Sequence, residues 1–252
     1  MSDPSNDYES GELLSQYLIF HYGTTEDRMP WKFGPRLTES FPESCVRLLL
    51  EAGLRPDGRA LDVGCAVGAA AYVLSRSMSA VRAVDTSQSF TAAAERIGRE
   101  GRHPVDLIFS GDISRRIDVV LPVGAQPERV RFETGDAHAL PEAWCDFDAV
   151  LACNLLCRMA RPAAFLEQLP HLVRPGGLLL LTTPGTWLES CTPREFWIGA
   201  TPERGAPLEA LKAALGDDFT LEQRVDQPFC IREHLRKYQW SVAEATLWRR
   251  KT

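Results

Sequence analysis

The sequence predicts an α/β domain: a doubly wound, mostly parallel sheet of seven strands, with helices at its N-terminus and one inserted hairpin. Three observations carry that expectation. Short apolar runs alternate with helical segments from residue 59 to residue 184, the pattern of repeated strand–helix–strand units. A small-residue turn, Gly64 to Gly68, follows the first run directly, as where a first strand feeds a helix through a tight bend. Near the C-terminus, residues 219–226 and 240–250 alternate apolar and polar with period two, and they pair most simply as antiparallel strands.

The elements follow in order. Residues 12–22 and 40–53 read as helices, the second stopped by Gly53 with Pro56 beyond it, and together residues 12–56 form an expected helical cap. Residues 59–64 are the first strand, 67–78 a helix, 80–85 the second strand and 87–100 the next helix. Within residues 102–128, the stretch 104–123 holds two strand-like runs around a turn at Ser110 to Asp112, the inserted hairpin. Residues 129–136 are the third sheet strand, 147–156 a buried strand, 163–173 a helix and 175–184 a strand entered through Gly176 and Gly177.

Composition bounds the function. With 252 residues, 44% of them hydrophobic, the chain can bury one substantial core, so residues 12–252 are expected as one domain behind a flexible tail, residues 1–11. Twenty-eight basic residues against 34 acidic give a net charge of −6, which argues against nucleic acid as partner. No run approaches the roughly 20 apolar residues that cross a bilayer, and the N-terminus is acidic and polar where a secretory signal is basic and then apolar. A soluble, cytoplasmic protein with no membrane partner is expected. The seven cysteines contain no C-x-x-C pair; even Cys153 and Cys157, four apart, read as reduced core residues, and no metal is expected.

The chemistry concentrates in A-L-D-V-G-C-A-V-G, residues 60–68, an apolar strand ending in Asp62, Gly64, Cys65, Ala66 and Gly68. Glycine at 64 and 68 lets the backbone turn tightly and approach a ligand closely. A second strand ends at Asp85, followed by Thr86 and Ser87, 17 residues beyond Gly68. A carboxylate there can accept both hydroxyl protons of an adenosine ribose. Dinucleotide and S-adenosylmethionine sites share that pairing.

The loop G-D-A-H-A-L-P, residues 135–141, separates the two, because it resembles the methyltransferase loop in which an aspartate binds the adenine amino group. By that resemblance Gly135, Asp136 and Ala137 hold the adenine. Asn154 and Leu155 end the fourth strand beside the expected methyl group. Residues 59–184 thus resemble the class I, Rossmann-like S-adenosylmethionine-dependent methyltransferases, and Ala66 departs from the pattern where many members carry a glycine. The resemblance implies S-adenosylmethionine as cofactor and S-adenosylhomocysteine as its product.

A narrower resemblance spans almost the whole chain from about Tyr8. Residues 17–23 (Y-L-I-F-H-Y-G), 154–158 (N-L-L-C-R), 183–189 (T-P-G-T-W-L-E), 231–240 (I-R-E-H-L-R-K-Y-Q-W) and the T-L-W-R-R tail look like the mercaptohistidine N-methyltransferase of ovothiol biosynthesis. In that family the enzyme is often joined to a sulfoxide synthase, which this sequence does not resemble and which becomes an expected separate partner. The implied reaction is methylation of an imidazole nitrogen of 5-thiohistidine to give ovothiol A.

Residues 154–158, 183–197 and 229–239 follow expected strand ends and should rim one crevice. An amino-acid-derived substrate needs partners for its carboxylate, for which Arg158, Arg232 and Lys237 are the available cations, and for its ammonium, for which Glu233 is the candidate. Trp187, Tyr238 and Trp240 can stack on the ring, although Trp240 and Trp248, on an alternating strand, read first as core. Tyr17, His21 and Tyr22 share a helix expected to close over the cofactor. Asn154, His21, Glu233 and His234 are the candidate catalytic residues, the last three for fixing the imidazole tautomer. A methyltransferase for another small molecule, a nicotinamide-dependent oxidoreductase and a noncatalytic binding module remain as alternatives.

Overall fold

The computed structural model describes residues 11–252; of the expected tail, residues 1–11, only Gly11 falls among them. Among the described residues, three helices precede the sheet: α1 (Gly11–Tyr22), α2 (Thr25–Arg28) and α3 (Phe41–Glu51). A reciprocal cap starts α3, with Ser40 Oγ accepting from the Glu43 N–H and the Glu43 carboxylate accepting from the Ser40 N–H. Gly53 ends it: at φ +81° it lets the Leu54 N–H reach back to the Leu49 carbonyl at 3.0 Å.

The alternating core follows: β1 (Arg59–Val63), α4 (Ala69–Leu74), β2 (Ala80–Asp85), α5 (Gln88–Glu100), the hairpin β3 (Arg102–Ser110) and β4 (Ile113–Val120), then β5 (Val130–Thr134) and β6 (Phe147–Cys153). The chain continues through α6 (Pro162–Leu166), α7 (Leu169–Leu172), β7 (Val173–Thr183), α8 (Pro207–Leu215), β8 (Phe219–His234) and β9 (Lys237–Arg250). Seven strands form one sheet in the order β5-β2-β1-β6-β7-β9-β8, and β3 pairs with β4 apart from it. All pairs from β5 to β7 are parallel, whereas β9 runs antiparallel to both β7 and β8. Strand order therefore reverses between β1 and β6, and a crevice opens there at the carboxyl edge.

Period two sorts the strand residues onto two faces. Ala60, Val81, Ala149, Leu151, Leu178 and Leu180 pack with α1, α3, α4 and α5, while Leu61, Val63, Val150, Leu179 and Leu181 pack with α6, α7 and α8. Each fully buried leucine contributes about 1.5–3 kcal/mol by leaving water, so both helical layers are held on by the sheet. Among the described residues no helix is long and apolar enough to cross a membrane.

Three expectations need correction. The helix expected over 67–78 is α4, only Ala69–Leu74. The one expected over 163–173 is two short helices, because Pro170 lacks an N–H and its ring collides with the carbonyl four residues back. The largest difference is β8, expected over 219–226 but continuing to His234. Residues 229–239 are therefore mostly strand. Only Leu178 to Thr183 of β7 pair with β9, so the distal half of the β8–β9 hairpin projects past the carboxyl edge, against α1 and β3.

Candidate active site

A cavity of about 700 Å³ occupies the crevice at the ends of β1, β2 and β6, roofed by α1 and the overhanging hairpin. Its size is within the ~300–1,000 Å³ usual for small-molecule sites. Of the residues expected to hold the cofactor, Asp62, Gly64, Cys65, Ala66, Asp85, Thr86, Asp136, Ala137, Asn154 and Leu155 line it.

The floor is the turn after β1. Gly64 sits at φ +71°, and a side chain there would meet Leu155 Cδ1 at 2.9 Å. Ala66, the departure from glycine, also lies in the left-handed region at φ +47°, a conformation that costs an L-residue about 1–2 kcal/mol. Asp85 offsets that strain. Its Oδ2 accepts from the Ala66 N–H at 2.9 Å and its Oδ1 from the Ser87 N–H at 2.9 Å, so one carboxylate fixes the loop while facing the cavity.

Asp62 is 2% exposed, and its Oδ2 has no hydrogen-bond partner. Burial, reinforced by the Asp85 charge, pushes its carboxyl up to about 7. This wall therefore carries an unmet demand for a donor or a positive charge.

At the adenine end expected from the sequence, Asp136 Oδ1 accepts from the His138 N–H at 2.9 Å and meets His138 Nδ1 at 2.7 Å. The Arg161 N–H donates to His138 Nε2 at 3.1 Å, so the ring's proton belongs on Nδ1, toward the carboxylate. Partial burial raises the Asp136 carboxyl, but the backbone and ring of His138 outweigh that and leave it below the usual range. His138 lines the cavity and was missed in the sequence, although it directly follows the G-D-A motif.

Asn154 closes the centre. It adopts φ +54°, its N–H donates to the Thr182 carbonyl at 2.9 Å, and its Oδ1 accepts from the Thr182 hydroxyl at 2.9 Å. With Oδ1 engaged, the amide NH2 is the group left for a ligand.

Gly68, Ser87 and Gly135 do not line the cavity; they support it. A side chain on Gly68 would lie 2.5 Å from Phe132 Cε1, and φ is +84°, so this glycine serves packing between α4 and β5. Ser87 Oγ caps α5 by accepting from the Phe90 N–H at 3.1 Å. The Gly135 N–H bonds to the Asp85 carbonyl at 2.9 Å.

The second part of the cavity is walled by α1, by the loops after β6 and β7, and by the hairpin. Tyr17, His21 and Arg158 reach it as expected. Tyr17 packs on Phe90 with ring centroids 4.9 Å apart. His21 lies among Tyr17, Phe20 and Tyr22; burial pushes its pKa down to about 3, and its buried Nδ1 has no partner, so the ring stays neutral with one nitrogen unsatisfied. Arg158 is the one Lys or Arg side chain among the described residues lining the cavity, and it also donates to the Thr186 carbonyl at 2.7 Å.

Other expected residues lie elsewhere. Tyr22 is turned beneath the glycine loop, donating to the Val67 carbonyl at 2.5 Å. Trp187 packs on Trp197. Arg232 is 3% exposed, donates to the Asp27 carbonyl at 2.8 Å and covers the Phe109 ring, while Tyr238 donates to the Leu235 carbonyl. Lys237 pairs with Glu233 at 2.6 Å, and His234 Nδ1 accepts from the Arg236 N–H. Trp240, expected in the core or on the substrate, is 48% exposed, whereas Trp248 is core at 1%.

Strand alternation explains the corrections on the hairpin. Ile231 pairs with Gln239 and Phe229 with Ser241, and these four line the cavity. Arg232 pairs with Tyr238 and Cys230 with Trp240, one residue out of phase and hence on the other face. Gln16, 8% exposed, was also missed and lines the cavity from α1.

Comparison with known proteins agrees with this architecture. Residues 37–227 match the family described as "Methyltransferase domain". The chain is similar to methyltransferase GfsG of Streptomyces halstedii, 29% identical over 181 residues, covering 69% of this chain and 54% of that one. It is also similar to the tRNA U34 carboxymethyltransferase of Idiomarina loihiensis, 33% identical over 123 residues, 49% of this chain and 32% of the relative. It thus spans about half or less of these relatives' length. Among solved structures, the [4+2]-cyclase SpnF superposes with TM-score 0.59 at 19% identity, covering 98% of this chain and 94% of the other. The N-methyltransferase NodS from Bradyrhizobium japonicum WM9, in complex with S-adenosyl-L-homocysteine, gives 0.56 at 16%, covering 95% and 99%. These likenesses speak for the fold, and a cyclase among them is a reminder that fold alone does not choose the reaction. With its own residues 37–227 matched, the chain belongs to the methyltransferase-domain family.

Proposed function

We propose that the protein transfers a methyl group from S-adenosylmethionine to an imidazole ring nitrogen of 5-thiohistidine, giving ovothiol A. The observation that carries this reading is the two-part cavity: a carboxylate-rich half at Asp62, Asp85 and Asp136 continuous with a half that offers Arg158, His21 and aromatic walls.

The residues fit the cofactor. The unpartnered Oδ2 of Asp62 suits the ammonium of the methionine part, and Asp85 can accept from the ribose hydroxyls while keeping its two backbone donors. Asp136, already oriented by His138, suits the adenine amino group, and the Ala137 backbone the ring. Bound there, S-adenosylmethionine supplies a sulfonium methyl: the ring nitrogen's lone pair forms the new N–C bond while both electrons of the C–S bond stay on sulfur. The protein's task is mainly alignment and exclusion of water, a contribution of up to ~10 kcal/mol in intramolecular reactions.

Arg158 suits the substrate carboxylate, since a guanidinium can make two parallel bonds to it. Tyr17 and Phe20 supply apolar surface for the ring, and neutral His21 offers Nδ1 to it. A sulfoxide synthase is the expected source of the thiohistidine. The test is to incubate the protein with methyl-labelled S-adenosylmethionine and 5-thiohistidine, histidine or unrelated small acceptors. Label on a ring nitrogen of 5-thiohistidine is expected; transfer only to another acceptor, or none, would overturn the assignment.

A further inference from the structure

Gln239 lies in the 231–240 motif, where the sequence gives it no role, yet its side chain lines the acceptor half of the cavity from the overhanging hairpin. Its carboxamide is clamped. Nε2 donates to Glu233 Oε1 at 3.1 Å, and Glu233 Oε2 is paired with Lys237 Nζ at 2.6 Å. Lys237, against a modest opposing effect of burial, holds the Glu233 carboxyl below its usual range, so Glu233 is an ionised, acceptor-only group. The Gln239 amide therefore cannot reverse: its oxygen would then face a carboxylate oxygen, two acceptors with no proton between them. That orientation turns Nε2 toward Glu233 and makes Oε1 the acceptor that Gln239 can offer a ligand, beside the second N–H of Nε2.

Resting on the proposed N-methylation, we infer that Gln239 is the residue that selects the acceptor's tautomer, by accepting a hydrogen bond from the ring nitrogen that does not attack, with Glu233 as the positioning residue behind it. In a neutral imidazole one nitrogen carries the proton and the other the lone pair. Holding the proton at Gln239 Oε1 leaves the lone pair on the opposite nitrogen. As the ring gains positive charge during transfer, this N–H becomes a stronger donor, so the same contact is worth more in the transition state than in the ground state. The ring proton leaves to water after transfer, and the neutral product no longer donates there. The hairpin thus determines which acceptors are used: a ring or amine with an N–H opposite its nucleophilic nitrogen is favoured over one that lacks it.

The experiment compares wild type, Gln239→Leu and Glu233→Ala, each saturated with S-adenosylhomocysteine. Calorimetry then measures binding of 5-thiohistidine and of its two ring-N-methyl isomers, alongside turnover of 5-thiohistidine. Wild type should bind 5-thiohistidine about tenfold more tightly than the isomer that is not the reaction product, the scale of one hydrogen bond. Gln239→Leu should bring that ratio close to one and lower kcat/KM by about tenfold or more, and Glu233→Ala should fall between. S-adenosylhomocysteine affinity should stay at the wild-type value in both, which also reports that the variants fold. A ratio preserved in Gln239→Leu, with 5-thiohistidine still turned over by wild type, overturns the role of Gln239 and leaves the proposed reaction standing. Failure of wild type to methylate 5-thiohistidine overturns the reaction itself, and the tautomer argument falls with it.

Discussion

Replacing Asp85 by alanine is the sharpest test of the cofactor half. In the free protein its two oxygens each hold a backbone N–H at 2.9 Å, one on Ala66 and one on Ser87. The first keeps a non-glycine residue at φ +47°. Removing the carboxylate therefore removes one of the bonds that hold about 1–2 kcal/mol of backbone strain at Ala66, and the loop spends less time in the bound shape. It also removes the acceptor proposed for two ribose hydroxyls, each bond to a charged group being worth ~1.5–3 kcal/mol. Together these predict a loss of at least ~3 kcal/mol, or ~100-fold or more in the Kd for S-adenosylhomocysteine, read by calorimetry. Asp85→Asn keeps one carbonyl oxygen for one of the two backbone donors and should fall between. A folded Asp85→Ala protein binding S-adenosylhomocysteine within about threefold of wild type, under ~0.7 kcal/mol, would refute the reasoning.

Asp62 predicts an unusual pH dependence. Its carboxyl rises from 3.8 to about 7 on folding, so the folded state holds the proton more tightly than the unfolded one. Its contribution to stability is therefore lost as pH climbs from near 4 to near 7 and is flat above, a total on the order of 4 kcal/mol. Asp62→Asn should match wild type in thermal unfolding at pH 4, exceed it at pH 8, and bind S-adenosylhomocysteine more weakly. Equal stability at both pH values would contradict the assignment. Gly68→Ala should lower stability by about 1–3 kcal/mol, because the new methyl meets Phe132 and the backbone stays left-handed; its affinity for S-adenosylhomocysteine should remain within about threefold (~0.7 kcal/mol), since Gly68 does not line the cavity. Arg158→Ala should raise KM for 5-thiohistidine by roughly 10–100-fold, the loss of a charge-assisted pair, and leave cofactor affinity alone; an unchanged KM with wild-type turnover would remove Arg158 from the substrate.

The parallel half of the sheet was legible because each of its strands is short, apolar and bounded by a turn whose chemistry is local. Gly64, Asp85, Asp136 and Asn154 sit at strand ends, where position along the chain alone predicts exposure to the crevice. The hairpin was not legible in the same way. Residues 231–240 carry five charged or histidine side chains (Arg232, Glu233, His234, Arg236, Lys237) with Gln239 and aromatics interleaved, and no alternation marks them as strand. Their facing depends on pairing with one another, and the register shift between Arg232 and His234 is a tertiary feature. The one-residue phase that follows sends Arg232 and Tyr238 away from the cavity and brings Ile231 and Gln239 to it. Gly68 was read as serving both the turn and the ligand; its left-handed backbone serves the turn, but it packs on Phe132 and does not line the cavity, a distinction that needs Phe132, 64 residues away in the chain, to be seen beside it.

The account rests on where the nucleoside lies, and a crystal structure with S-adenosylhomocysteine and 5-thiohistidine measures that directly. The account predicts both ribose hydroxyls on the Asp85 carboxylate, the adenine beside Asp136 and Ala137, and a thiohistidine ring nitrogen facing the homocysteine sulfur from the side of Tyr17, Arg158 and Gln239. Density for the nucleoside outside the crevice between β1 and β6, or an acceptor held away from that sulfur, would contradict it.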